Sequence, residues 1–280
     1  MRSPAVAGYF YEGSKESLTR QIENCFLHNL GPGALPRVNE SPLQRTVGLV
    51  CPHAGYMYSG PVAAHSFKAL AEDGVPELVV LVGPNHSGYG AAVAVSQAKA
   101  WRTPLGDVNV DLEAAKTIVK VSGIAEFDDV AHMYEHSLEV QLPFLQYLYG
   151  SRFSIVPITM MLQDMATCRD LAKGIVAALK GCNGLVIAST DFTHYEPHAV
   201  ALKKDLAVIE AIEEMNAEKM MFLVRKHNVT MCGYGPVATV ILACRDLGAA
   251  QCRRLKYATS GDITGDYREV VGYGSLVFLR

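Results

Sequence analysis

Three histidines of this chain stand in short polar turns, each after an aliphatic run: Pro52-His53-Ala54-Gly55, Gly83-Pro84-Asn85-His86 and Asp191-Phe192-Thr193-His194. Imidazole is a metal ligand and an acid/base group near neutral pH, so three such turns brought together would make one reactive site. Imidazoles on separate loops become metal ligands when a soft or charged donor joins them, because three protein ligands leave room for water or substrate. Cys232, in Thr230-Met231-Cys232-Gly233-Tyr234-Gly235-Pro236, is the leading candidate for that donor. It precedes a helix that Pro236 is expected to open, and the N–H groups and dipole of that helix end would favour thiolate, the ligand form. Asp191 lies three residues before His194, close enough in a turn to orient the imidazole or to cap the turn through backbone N–H groups.

His132 and His136 are four apart, with Glu135 and Glu139 interleaved. On a helix, His132, His136 and Glu139 share a face, and the pattern alone reads as the solvated stripe of an amphipathic helix. Tyr56 and Tyr58, in the Gly-bounded stretch after His53, could line a cleft. His65 reads as a helix-face residue.

The elements that must position these groups alternate between strand and helix. The runs Val47 to Val50, Leu78 to Val82 and Leu185 to Ala188 read as neighbouring buried parallel strands, whose C-terminal ends would lie along one sheet edge. Further strands are expected at Ala91 to Ser96, Asp107 to Val110, Phe153 to Ile158, Arg254 to Thr259 and Val271 to Leu279. Helices are expected at Ser17 to Asn29, from Pro61 to about Glu72, and at Leu112 to Val121, Glu135 to Tyr149, Ala166 to Leu179, Ala199 to Met215 and Pro236 to Leu247. In the second of these Pro61 stands near the first helical position, and Gly31 to Pro42 reads as a surface loop. The alternation predicts a three-layer α/β/α sandwich around a largely parallel or mixed sheet, in a single domain over 1–280.

Composition narrows the function. Half of the 280 residues are hydrophobic, which excludes general disorder, and the formal charge of −3 argues against a dedicated nucleic-acid binder. The N-terminal stretch has Pro4 and Gly8 and no long apolar segment, so neither a signal peptide nor a membrane span is expected. Seven scattered cysteines without a C-x-x-C pair suit a reducing compartment, and a cytoplasmic location is expected.

Six stretches together resemble the Memo family (mediator of cell motility; AmmeMemoRadiSam system protein B). They are Pro4-Ala5-Val6-Ala7-Gly8-Tyr9-Phe10-Tyr11, Pro52-His53-Ala54-Gly55-Tyr56, Gly83-Pro84-Asn85-His86, Glu135-His136-Ser137-Leu138-Glu139, Ser189-Thr190-Asp191-Phe192-Thr193-His194 and Met231-Cys232-Gly233. The resemblance implies a fold similar to class III extradiol ring-cleavage dioxygenases, the LigB-like type, with a site at the strand ends. By position, His53, His86 and Cys232 match the family's metal ligands, and Asp191 and His194 its other polar pocket positions. His136 and Glu139 are thereby expected near the cleft in support of the ligands, with Tyr56 and Asn85 at the pocket. The dioxygenases use two His and a Glu around Fe(II), so a cysteine at the third position separates this site from theirs and admits Fe(II), Cu(I) or Zn(II), the first two favoured.

Three functions follow as expectations. One is a redox metal-binding protein or oxidoreductase, with His194, tuned by Asp191, as acid/base toward a small bound substrate. Another is a non-catalytic module whose cleft receives a peptide or protein. The third is a Zn-dependent hydrolase with His194 or Glu139 as base.

Overall fold

A computed structural model describes residues 1–280. The first half runs α1 (Lys15–Leu27), β1 (Thr46–Cys51), α2 (Tyr56–Asp73), β2 (Leu78–Pro84), β3 (Val93–Val95), β4 (Ala100–Thr103), β5 (Gly106–Asn109), α3 (Leu112–Ser122), β6 (Glu126–Phe127) and α4 (Leu142–Tyr149). The second half runs β7 (Ser154–Met160), α5 (Met165–Leu179), β8 (Gly184–Ser189), β9 (His194–Glu196), α6 (His198–Glu213), α7 (Ala217–Lys226), α8 (Tyr234–Asp246), β10 (Gln251–Thr259), α9 (Ser260–Thr264) and β11 (Val270–Leu279). No helix is long and apolar enough to cross a membrane.

The strands order as β10-β11-β1-β8-β2-β7-β3-β6, and β4 and β5 form a separate hairpin. The centre, β1-β8-β2-β7, is parallel, while β11 against β1 and β3 against β7 are antiparallel, so the sheet is mixed as expected. Alternate residues of each central strand feed opposite cores. Val80, Val82, Val186 and Ala188 pack toward α5, α6 and α8, whereas Val79, Leu81, Leu185 and Ile187 pack toward α1, α2 and α4. Burial on both faces explains why these strands read as unbroken apolar runs.

Helix ends follow side-chain caps. Ser14 accepts from Ser17 N, Asp111 from Glu113 N and Ala114 N, and Asp164 from Ala166 N and Thr167 N. Two helices begin earlier than expected: α2 starts at Tyr56, with Pro61 inside it, and α8 at Tyr234, each behind a glycine N-cap.

The largest departure lies at Glu135 to Tyr149, expected as one helix. Pro143 cannot sit in a helix interior without clashing with the preceding turn, and it occupies the first turn of α4 instead. Residues 133–138 run irregularly between short 3₁₀ turns at Val130–His132 and Glu139–Gln141. His132, His136 and Glu139 therefore share no helix face. His132 is fully buried, edge-on to Trp101 and paired with Ala94 O.

Glu139 holds this irregular loop to the N-terminal segment. Its carboxylate, with no exposed surface, accepts from the Arg2 guanidinium, from Ala5 N and Val6 N at 2.7 and 3.1 Å, and from the Tyr11 hydroxyl at 2.6 Å. Arg2 in turn lies over the Trp101 ring and donates to His132 O and Glu135 O.

Removing one member of such a buried pair strands the other, so Glu139→Ala should destabilise the fold by about 3–5 kcal/mol. Urea unfolding measures this, and a loss below about 1 kcal/mol would show that the clamp is not a stabilising element.

Candidate metal centre

The parallel register levels the loops that carry the chemistry. Cys51 pairs with Ser189 and Val82 with Ala188, so the turns after β1, β2 and β8 leave the sheet side by side. His53, His86 and Asp191 follow within a few residues. Cys232 arrives from the loop before α8 and is tied to the β8 turn. Asp191 N donates to its sulfur at 3.3 Å, its own N–H reaches Asp191 O, and Gly233 N donates to Thr190 Oγ1 at 3.0 Å. A Cβ on Gly233 would stand 2.6 Å from Ser189 O, and one on Gly83 2.7 Å from Ser137 Oγ, so both glycines permit the loops to close in.

One nitrogen each of His53 and His86 and the sulfur of Cys232 lie within 4.8 Å of one another. Cys232 Sγ is 3.3 Å from His53 Nε2, and the two imidazoles stand edge to face with centroids 5.2 Å apart. Two imidazoles and a thiol converging at this separation fit a single soft or borderline metal ion, and the residues present match that group.

Each imidazole is held through Nδ1. His86 Nδ1 lies 2.9 Å from Glu135 Oε1, and the same carboxylate accepts from the backbone N–H groups of His86, His136 and Ser137. An ionised carboxylate only accepts, so His86 carries its proton on Nδ1 and presents Nε2. His194 Nδ1 faces Thr230 O at 2.8 Å, another pure acceptor, so in the neutral ring the proton sits on Nδ1 and Nε2 is the free nitrogen. His53 Nδ1 lies 2.9 Å from Ser189 Oγ.

Burial governs the charges. It holds the His53 imidazole well below its usual range, reinforced by His136, His86 and His194, so His53 is neutral. It pushes the Cys232 thiol up, with the Asp191 charge adding to the effect. This works against the thiolate expected at the helix end, and a metal would have to displace the thiol proton. Burial lifts Asp191 to about 6 against the hydrogen bond from His53 N. Burial would also raise Glu135, but its hydrogen bond with His86, together with the charges of His86 and His136 and the Ser137 N–H, holds it down at about 2.

The structure redistributes several expected roles. Asp191 does not orient His194. Its carboxylate accepts from His53 N at 2.8 Å, the turn-capping alternative, and Thr230 orients His194 instead. His194 stands beside the ligand trio, outside the group whose donors lie within 4.8 Å. His136 does approach the centre, stacked on His86 at 4.6 Å and tilted against Phe10 at 4.7 Å. Glu139 belongs to the N-terminal clamp. Tyr56 is buried in the core, its hydroxyl donating to Val140 O at 2.6 Å, and does not line the cleft. Asn85 folds its own loop, donating to Tyr89 O and accepting from Ser87 Oγ and Gly88 N. Sequence reasoning missed Glu135, Ser189 and Gln141 as supporting groups. Glu135 and Ser189 stood inside quoted motifs, but nothing in spacing separates Glu135 from Glu139.

A family model described as a Memo-like protein matches residues 2–277. A MEMO1 family protein of Methanopyrus kandleri is 53% identical over 281 residues, spanning 100% of this chain and 99% of its own. Those of Methanothermobacter thermautotrophicus and Thermotoga neapolitana are 50% and 48% identical, each over 99% of both chains. Among solved structures, an uncharacterized protein of Escherichia coli K12 matches with a TM-score of 0.57 at 14% identity, covering 83% of this chain and 100% of that one, a likeness of fold.

The depressed Glu135 carboxyl predicts a pH signature. A folded value of about 2 against an ordinary 4.5 gives stability that is complete above the ordinary value and is lost as pH falls toward the folded one. The loss should amount to roughly 3 kcal/mol. Unfolding free energies between about pH 5 and pH 2 should fall more steeply in the native protein than in Glu135→Gln, and parallel curves would contradict this.

Proposed function

This chain belongs to the Memo family, and we propose that it is a metal-binding oxidoreductase in which His53, His86 and Cys232 hold one iron or copper ion. The observation that carries the reading is the convergence of two imidazoles and a thiol within 4.8 Å at the strand C-terminal ends, where open α/β sheets bind ligands. A redox-active ion bound there would supply one-electron chemistry.

The chain's own residues would prepare the site. His194, with Nδ1 committed to Thr230 O, offers Nε2 as a proton acceptor for a small substrate entering the cleft. Asp191 fixes the His53 turn rather than the base. Glu139 is fully engaged by Arg2, Ala5, Val6 and Tyr11, which leaves His194 as the base in the Zn-dependent hydrolase alternative as well.

A second reading, a peptide- or protein-binding cleft, is favoured by exposed apolar side chains beside the same strand ends. Tyr89 follows β2, Met161 and Leu162 follow β7, and Tyr195 adjoins His194. Binding that persists after chelation would support this module, and binding abolished by chelation would count against it.

The metal reading predicts that Cys232→Ala and His86→Ala, purified anaerobically, retain at most about a tenth of the native iron or copper, since each loses one of three ligands. Elemental analysis checks this. Equal metal content in the native protein and both variants would remove the trio as the binding site.

A further inference from the structure

The proton of His53 can sit on either nitrogen as far as Ser189 alone is concerned, because a hydroxyl both donates and accepts. The residues behind Ser189 decide. Gln141 Nε2 lies 3.0 Å from Pro52 O and 2.8 Å from Ser189 Oγ. A proline carbonyl only accepts, so the amide of Gln141 must turn its NH₂ toward Pro52, and the second N–H then points at Ser189. Ser189 Oγ is also 2.6 Å from Ser137 O, a second pure acceptor, and its single proton goes there. With that proton committed and one lone pair taken by Gln141, the hydroxyl can meet His53 Nδ1 at 2.9 Å only as an acceptor.

We propose that Ser189, its proton held by Ser137 O, is a positioning residue that locks His53 in its Nδ1–H form and so holds the Nε2 lone pair toward Cys232 Sγ. All members are almost fully buried: Gln141 and Ser189 are each 1% exposed and His53 2%, so water cannot readily substitute for a missing partner. The chain of donors runs one way, from Gln141 to Ser189 and from Ser189 to Ser137 O, and its start is fixed by Pro52 in the same turn as His53. His86 reaches the same state by a different route, through the Glu135 carboxylate.

This tautomer assignment stands without metal, whereas its consequence for metal affinity rests on the reading of His53 as a ligand. Nitrogen NMR of the imidazoles in the metal-free native protein should show His53 protonated at Nδ1 alone. Ser189→Ala, which removes the acceptor, should introduce the Nε2–H form and Ser189→Thr should restore the native pattern, whereas Gln141→Leu, which leaves the Ser189 proton on Ser137 O, should keep the Nδ1–H form. Zn(II) competition titration should find binding about 10- to 100-fold weaker in Ser189→Ala and near native in Ser189→Thr. An Nε2–H tautomer in the native protein, or an unchanged tautomer in Ser189→Ala, overturns the lock. A shifted tautomer with unchanged Zn(II) affinity upholds the lock and removes His53 from the ligand set.

Discussion

The parallel register that sets Cys51 beside Ser189 and Val82 beside Ala188 fixes the height at which three loops leave the sheet. With both sheet faces covered by helices, the strands cannot slip without moving apolar side chains out of two cores at once. His53, His86 and the 190–194 turn are thereby held together before any contact among them is considered. The α8 loop then adds Cys232, anchored by hydrogen bonds with Thr190 and Asp191.

That convergence buries His53 and Asp191 and half-buries His194, while His86 stays exposed. Each is answered by a specific partner: Ser189 for His53, Glu135 for His86, Thr230 for His194 and the His53 N–H for Asp191. Farther from the centre, Asp205 accepts from Thr193 N, Thr193 Oγ1 and Tyr257 Oη, which fixes the far side of the β8 turn. Two acidic residues four apart do unlike work because the chain between them is not helical. Glu135 faces the imidazoles, and Glu139 faces the N-terminal segment, whose Phe10 returns to touch His136.

Much of this was legible in the sequence where one rule dominated. Aliphatic runs marked the parallel strands, and the histidines after them marked the edge where they end. Cys232 was singled out by its place before a helix, although desolvation of this half-buried sulfur works against the thiolate expected there. The stretch from Glu135 to Tyr149 is not the single helix expected, because Pro143 fits only the first turn of a helix that starts at Leu142. The pairing of Asp191 with His194 followed closeness in sequence, whereas the structure satisfies each group across the fold, through His53 N and Thr230 O. Tyr56 entered the core for a similar reason: α2 begins one turn earlier than Pro61 suggests, which rotates Tyr56 onto its buried face. Contacts such as Gln141 with Pro52, or Arg2 with Glu139, join residues 89 and 137 positions apart, and no local pattern announces them.

The proposed metal centre places a sulfur and two imidazoles on one ion. X-ray absorption at the metal edge of anaerobically loaded native protein measures those ligands directly. One sulfur scatterer is expected, at about 2.3 Å if the ion is zinc, together with imidazole nitrogens, and the sulfur signal should be lost in Cys232→Ala. A spectrum with only oxygen and nitrogen neighbours in the native protein, unchanged by that substitution, would contradict that centre.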